Sequence, residues 1–520
     1  MPFGYKWLRD NLKLTTLPPK TAVFWVNEEV ILDHLSQEVI KVRKDAARPT
    51  SPAEHLWFAL RVEGINLEII RQSFSALGRD AILSAINRRP TGAISRRIGY
   101  LYETLIKDEL PLPARPRATY INLLPEERYL TAAPRSNRRW LINDNLPGNA
   151  DFCPLVRRTN AVTKALSLSI RQRIEEETSE YSPRVIQRAI SYLYLKETKS
   201  SFEIEHEKPG PERIQRFAAL LRQAGRVPAL TEASLAAMQR SLVDRQFAAH
   251  GYRTIQNYVG EILGGHRERV DYIPPRPDQV QSLMDGLLRF ITDTEGRLPS
   301  IIRAAVASFG FVLIHPFDDG NGRLHRFLIH HLLSKDETFP QDSIVPVSAR
   351  MLADRSRYDA CLETFSVPLM SVADYRLDST GGLSMLNDLT DAYRFFDATP
   401  FVEYLTEVME QAIKVDLREE LRFMAGYEQS VPEIQAVADM PDSDINLLIR
   451  LTMQNGGALY KSKRRLFPRL TDPEISEIEE IIRRRLIFSD DNEQRFPLEV
   501  STKQGQEPNI RRHRETMDYF

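Results

Sequence analysis

The chain is expected to be mainly α-helical with one short β-hairpin. Three observations carry that expectation. Apolar residues recur at three- and four-residue spacing through most of the 520 residues. Helix start and stop signals, such as Ser182-Pro183 and Pro209-Gly210-Pro211, bracket these runs. Extended character is concentrated between Gly251 and Ile273, around Gly264-Gly265.

Taken in order, residues from about 50 to 110 read as short amphipathic helices separated by Arg-rich turns. Residues 111–165 change character. Pro111, Pro113, Pro116 and Pro125, then Asn143, Asn145, Pro147 and Gly148, predict irregular, loop-rich structure. Ser182 is a good N-cap and Pro183 suits the first helical position, so a long helix is expected from there towards Glu207. A second helix carries Ile214, Phe217, Ala218 and Leu221. Tyr252 to Val259 and Val270 to Ile273 form the expected hairpin, closed by Pro274-Pro275-Arg276-Pro277. A helix through Val280, Leu283, Met284, Leu287 and Ile291 follows, and then an apolar core helix with Ser300 as its expected cap. A further helix bears Leu324, Phe327, Leu328, His331 and Leu332 on one face. From about 400 the chain is again helical, with Leu417, Leu421, Ile434, Leu447, Leu448, Leu451 and the run from Ile475 to Leu486 as apolar landmarks. The division expected is an N-terminal, mixed but mainly helical domain (1–181), the long helix (182–210), a central unit (211–400, with its hairpin at 251–275), a C-terminal helical domain (401–488) and a flexible polar tail (489–520).

Composition narrows the function classes. Hydrophobic residues make up 42% of the chain, enough for real cores. Charged residues make up 27% but nearly cancel, to a net charge of -1. A chain so balanced carries no whole-molecule footprint for nucleic acid or acidic membranes. Cys153 and Cys361 are the only cysteines, too few for a disulfide framework, so a reducing, cytoplasmic setting is expected. The N-terminal residues lack the apolar run of a signal peptide, and the stretch Ala304 to Ile314 is too short to span a bilayer.

The chemistry concentrates in His315-Pro316-Phe317-Asp318-Asp319-Gly320-Asn321-Gly322-Arg323-Leu324-His325-Arg326. His315 has the intrinsic near-neutral pKa of a general base. Asp319 is a hard oxygen donor of the kind Mg²⁺ accepts beside phosphate. Gly320 and Gly322 permit unusual dihedrals and let an anion approach the backbone. The helix that follows offers unpaired N–H groups and a favourable dipole. Arg323 and Arg326 are neighbours on its first turn and match phosphate oxygens. Phe317 is an apolar anchor for the loop. A lone histidine or Gly-Asn-Gly turn is commonly only structural; the combination at this spacing is what points to phosphate chemistry.

The stretch resembles the motif of the Fic family, His-Pro-Phe-x-Asp-Gly-Asn-Gly-Arg-x-x-Arg, at every specified position. The resemblance implies a Fic helical core with a β-hairpin flap, and a protein adenylyltransferase that moves AMP from ATP to a hydroxyl side chain of a target protein. By it, His315 would deprotonate the acceptor Ser, Thr or Tyr, and Asp319 would hold Mg²⁺ on the α- and β-phosphates. Asn321 with the amides of Gly320 and Gly322 would position the α-phosphate, Arg323 the β-phosphate and Arg326 the γ-phosphate. His325 falls on a variable position and receives no role beyond packing. The stretch from Gly251 to Gly260, with Tyr272-Ile273-Pro274-Pro275, is similar to the family's flap. Thr254, Ile255, Gln256 and Asn257 would then form the edge that holds the target segment by strand addition. Self-modification and a homodimer are compatible with this reading.

Many family members are held off by a helix bearing Ser/Thr-x-x-x-Glu-Gly/Asn, whose glutamate pairs with the last arginine of the motif. Two stretches compete for that role. Ser201-Phe202-Glu203-Ile204-Glu205-His206 departs from the pattern only at His206; Ala59-Leu60-Arg61-Val62-Glu63-Gly64 lacks the hydroxyl. Ser201 and Glu205 are preferred because they end a strongly capped helix just before the core, which makes 182–210 an inhibitory helix. Glu63 is expected to be a solvated or capping acid. Glu203 and Glu207 belong to a charged run, which by itself reads as a solvated face. Removal of AMP from a modified protein, and transfer of another nucleotide, remain alternative uses of the same loop. A different alternative is a regulator whose C-terminal region binds DNA or a partner through Lys461-Ser462-Lys463-Arg464-Arg465 and Arg483-Arg484-Arg485.

Overall fold

The computed structural model describes residues 2–25, 38–42, 48–111, 118–263, 267–340, 342–378 and 381–487. Its elements are overwhelmingly helical, as expected. The N-terminal region holds α1 (Tyr5–Leu12), a parallel pair β1 (Thr21–Trp25) and β2 (Glu38–Val42), and α2 to α5 (Pro52–Val62, Leu67–Leu77, Arg79–Arg88, Ala93–Ile106). Among its described residues before 160, the Pro- and Asn-rich stretch contains three very short strands, β3 (Ile121–Asn122), β4 (Arg135–Asn137) and β5 (Ile142–Asp144). Helix returns earlier than expected, in α6 (Asn160–Ser167) and α7 (Ile170–Thr178), each started by a side-chain cap, Thr159 on Val162 N–H and Ser169 on Gln172 N–H.

The long helix α8 (Pro183–Ile204) begins as its cap signal requires, with the Ser182 hydroxyl accepting from Val185 N–H at 3.2 Å. Next come α9 (Pro211–Arg222), α10 (Glu232–Leu242) and the antiparallel hairpin β6 (Val259–Leu263) and β7 (Arg267–Tyr272). The hairpin therefore starts later than the sequence suggests. Residues 252–258 are irregular, and Gly264-Gly265 lies outside the described residues, as does the tail 489–520.

The centre of the molecule is α12 (Ser300–Ile314), in which Ile301 through Ile314 are all buried. A helix apolar on all sides must be enclosed on all sides. The enclosing elements include α11 (Pro277–Asp293), α13 (Asn321–Lys335) and α17 (Thr399–Gln411). Ser300 is the first residue of α12 rather than its cap. Pro299 takes the cap position and makes no side-chain cap bond. Beyond α13 come α14 (Val347–Ala353), α15 (Arg355–Met370), the small pair β8 (Tyr375–Leu377) and β9 (Leu383–Met385), and α16 (Thr390–Arg394). A second core gathers Leu56, Ile70, Ile98 and Trp140 in the N-terminal region. A third gathers Ile434, Leu448, Ile478 and Ile482 across α18 (Arg418–Val437), α19 (Asp442–Met453) and α20 (Asp472–Leu486). Among the described residues, no helix is long and apolar enough to cross a membrane.

Candidate active site

The motif lies in the turn between α12 and α13, and each of its residues has a local reason for its place. His315 ends α12 by adopting the left-handed conformation (φ 52°, ψ 60°), with its N–H on Phe311 O at 2.9 Å. Pro316 then denies the helix a further donor. Phe317 is fully buried and anchors the loop. The Asn321 amide staples that anchor: its Oδ1 accepts from Phe317 N–H (3.0 Å) and its Nδ2 donates to Phe317 O (2.8 Å). Gly320, at φ 85°, supplies the left-handed residue from which α13 starts. In this state the Asn321 side chain is spent on the loop. Only its backbone N–H, with those of the next residues, belongs to the anion-attracting helix start.

His315 is buried, with Nδ1 facing Val312 O at 3.3 Å. That contact makes Nε2 the basic nitrogen. Burial first, and then the nearby Arg253 guanidinium, pull its pKa down to about 4. The near-neutral value of a free histidine therefore does not hold in this closed site; the imidazole is neutral at pH 7. Arg253 was not singled out by the sequence. It donates from Nε to His315 O at 2.8 Å and from its backbone N–H to Pro316 O at 2.8 Å, so it ties the hairpin root to the motif loop.

The two arginines of α13 are almost fully buried, and both are held by carboxylates. Arg326 Nη2 donates to Glu205 Oε1 at 2.6 Å and to Ser201 O at 2.8 Å, and its Nε donates to Ser201 Oγ at 2.7 Å. Burial alone would raise Glu205, but Arg326 and then Arg323 hold it below the usual carboxylate range. The glutamate sits where an anion would. A Cβ built on Gly322 would lie 2.1 Å from Glu205 Oε1. Arg323 Nη1 pairs with Glu207 Oε1 at 2.8 Å, and its Nη2 contacts Asp319 Oδ1 closely. Arg323 Nε and Arg326 Nη1 are buried donors without a partner among the described residues. Leaving such donors unmade costs about 1–3 kcal/mol each, and a polyphosphate would satisfy them. Asp319 is a sparse metal site by itself, and no group of three or more metal-ligating side chains gathers among the described residues. Mg²⁺ commonly takes one or two carboxylates and completes its shell with phosphate oxygens and water. One buried carboxylate beside two arginines fits that habit.

Register explains why α8 delivers Ser201 and Glu205 to Arg326. Glu197, Ser201 and Glu205 fall on one helical face at four-residue spacing, and Arg323, Arg326 and His330 share one face of α13. Glu197 is fully buried and bonds His330 Nε2 at 2.8 Å, Ser348 N–H at 2.7 Å and Ser348 Oγ at 2.5 Å. This anchor, from α8 to α13 and α14, locks the register two turns before Glu205. His206, the departure from the family pattern, occupies a left-handed position (φ 52°). Gly and Asn are the usual residues there for the same reason, and histidine is also enriched in that region.

The other expectations fare variously. Of the two expectations for Glu63, solvated or capping, the second holds: it is buried, and its Oε1 accepts from Tyr5 N–H at 2.9 Å, capping α1 from α2. Burial raises its pKa well above the usual value. Glu207, read as part of a solvated run, instead reaches Arg323 and Arg213. Thr254, Ile255, Gln256 and Asn257 are not in a strand. The amides of Gln256 and Asn257 are directed inward, Gln256 Nε2 donating to Pro274 O at 2.9 Å and Asn257 Nδ2 to Phe317 O at 3.3 Å, while Thr254 is exposed and Ile255 is left 69% exposed. His325 packs, fully buried, edge-on to Phe309. In the C-terminal region Arg483, Arg484 and Arg485 are paired with Glu480 and Glu433. Each arginine of that run has an acidic partner while staying 36–57% exposed.

The loop and helix thus bring together an αL histidine and a glycine-started helix bearing two buried arginines, a layout that favours an anion. Residues 229–333 match the Fic/DOC family model. Among similar curated proteins, protein adenylyltransferase fic-1 of Caenorhabditis elegans is 32% identical over 99 residues, covering 19% of this chain and 17% of that protein. Protein adenylyltransferase Fic of Culex quinquefasciatus is 33% identical over 90 residues, 16% of this chain and 18% of that protein. The chain thus spans less than a fifth of the length of the curated relatives it matches. A crystal structure of a Fic domain containing signaling protein from Bacteroides thetaiotaomicron aligns at 17% identity and a TM-score of 0.34, over 50% of this chain and 97% of that one. At that score the likeness carries no argument.

Proposed function

We propose that the protein is an autoinhibited protein adenylyltransferase: it transfers AMP from ATP to a hydroxyl side chain of a target protein. The observation that carries this reading is the Glu205–Arg326 pair seated against Gly322 at the start of α13, beside His315. A carboxylate there occupies an anion position and blocks it. In the open state the neutral His315 Nε2 takes the proton of the acceptor hydroxyl. The hydroxyl oxygen bonds to the α-phosphorus, the bond to the β-phosphate oxygen breaks, and pyrophosphate leaves. Arg323 and Arg326 hold the β- and γ-phosphates, and the first amides of α13, at Asn321 and Gly322, face the α-phosphate. Asp319 is the residue that would hold Mg²⁺, which when bound offsets phosphate charge. The target segment is read along 251–275, where exposed Ile255, in the irregular run before the hairpin strands, offers an apolar contact.

The test uses the full chain carrying Glu205→Gly, with Mg²⁺ and ATP labelled at either the α- or the γ-phosphate. Label is expected on protein only from the α position, and His315→Ala in the same background is expected to abolish it. Transfer of γ label, or α-label transfer that survives His315→Ala, overturns the reading.

A further inference from the structure

The end of α8 presents a second carboxylate to the nucleotide site. His206 N–H bonds Glu203 O at 2.9 Å and Glu207 N–H bonds Phe202 O at 3.0 Å, with His206 left-handed. These are the two closing bonds of a Schellman turn. The turn fixes Glu205 and Glu207 relative to one another, and they meet two arginines spaced three apart on α13. Glu205 takes Arg326 at 2.6 Å, and Glu207 takes Arg323 at 2.8 Å.

Glu207 is not a side chain merely resting on a charged surface. Arg323 is 1% exposed, so its partners are chosen by the fold rather than by solvent. The other Glu207 oxygen is held independently, by Arg213 Nη2 of α9 at 2.5 Å. Arg213 is itself fixed by Leu242 O at 2.9 Å and lies over the Phe202 ring, 5.1 Å from its centroid. The Arg323 guanidinium lies over the same ring, at 5.4 Å. Glu207 is therefore held from two elements, and neither hold passes through Glu205.

We infer that Glu207 is a donor-discriminating residue, which competes with the β-phosphate for Arg323 as Glu205 competes with the γ-phosphate for Arg326. The inference rests on the proposed nucleotide-handling function and deepens it. The helix end then reads two phosphate positions separately. Removing Glu205 alone uncovers the γ position and leaves the β position contested. Full opening requires the whole Schellman turn to lift from α13, or the loss of both carboxylates.

The experiment resolves the two positions with shorter nucleotides. Full-length protein and its Glu205→Gln, Glu207→Gln and doubly substituted variants are titrated calorimetrically with AMP, ADP and ATP in Mg²⁺. Glutamine keeps the shape of each side chain and a hydrogen bond to its arginine partners. Thermal melting of each variant shows whether the fold is retained. Glu207→Gln is expected to tighten ADP and ATP alike, by about tenfold for one competing charge-assisted bond, and to leave AMP unchanged. Glu205→Gln is expected to tighten ATP alone. The double variant is expected to bind ATP tighter than either. If Glu207→Gln leaves ADP unchanged, or tightens AMP as much as ADP, Glu207 is only a structural ion pair and the inference fails while the general reading stands. If no variant binds ATP more tightly than the parent, the nucleotide reading fails and takes this inference with it.

Discussion

Replacing Glu205 with glycine tests the central contact most directly. Arg326 is buried and Glu205 is 13% exposed, so their 2.6 Å contact is shielded from salt and water. Two unit charges with centres roughly 4 Å apart attract by about 4 kcal/mol at an effective dielectric of 20. Much of that is returned, because desolvating the pair is unfavourable and the γ-phosphate forms the same kind of bond in its place. A net of about 1.5–3 kcal/mol is the range for hydrogen bonds to charged groups, or roughly 10- to 150-fold in occupancy. Misplacing a reacting atom by about an ångström would itself lower the rate roughly a hundredfold. The expected outcome is a rise of about one to two orders of magnitude in AMP transfer to the protein itself or to an added target. The assay follows α-labelled ATP in Mg²⁺. Arg326 keeps Ser201 Oγ and Ser201 O as partners, so the variant is expected to stay folded with a slightly lower melting temperature. Glycine is also compatible with the C-cap conformation at residue 205. An unchanged rate in a folded variant that binds ATP as tightly as wild type would refute the view that this carboxylate holds the enzyme off.

Two further outcomes follow from the titrating groups. With His315 lowered to about 4, its basic form persists well below the usual histidine range. The acid limb of kcat/KM for the Glu205→Gly protein, which reports the free enzyme, is expected near pH 4 and not near 6.5. The sign for stability is separate: the unfolded chain binds the His315 proton between 6.5 and 4, so this group makes the fold less stable as pH falls through that window. Melting curves at each pH distinguish unfolding from loss of the base. Glu63, raised by burial, acts in the opposite sense: the folded state retains its proton longer, and stability is lost as pH rises above 4.5. Glu63→Gln is expected to flatten that loss, seen as a relative gain in melting temperature at pH 8, with no change in AMP transfer. A rise in transfer would mean that the inhibitory role belongs to Glu63.

Legibility in the sequence followed the range of the interaction. The α8 start was readable because Ser182 and Pro183 act within one turn, and α12 because a helix apolar all round can only be central. Ser300 misled, since a serine beside a proline can serve equally as the first helical residue. The hairpin was misplaced because residues 252–258 carry strand-like side chains but bond to the motif loop. Arg253 spends its backbone N–H on Pro316 O and Asn257 its side chain on Phe317 O. No local pattern announces a partner some sixty residues away. Glu63 shows the same limit: its neighbour Tyr5 is distant in sequence, so its burial could not be read.

By itself the sequence determined the motif loop, because His315 through Arg326 act on one another across a single turn and the start of one helix, where spacing is geometry. It also determined that Ser201 and Glu205 share a helical face. Only the tertiary structure decided which arginine each acid meets. Glu197 with His330 and Ser348 locks α8 in register on α13, and the turn at His206 then brings Glu207 to Arg323. Those contacts join residues more than a hundred positions apart, and their pairing follows from how buried helices pack, which no local spacing encodes.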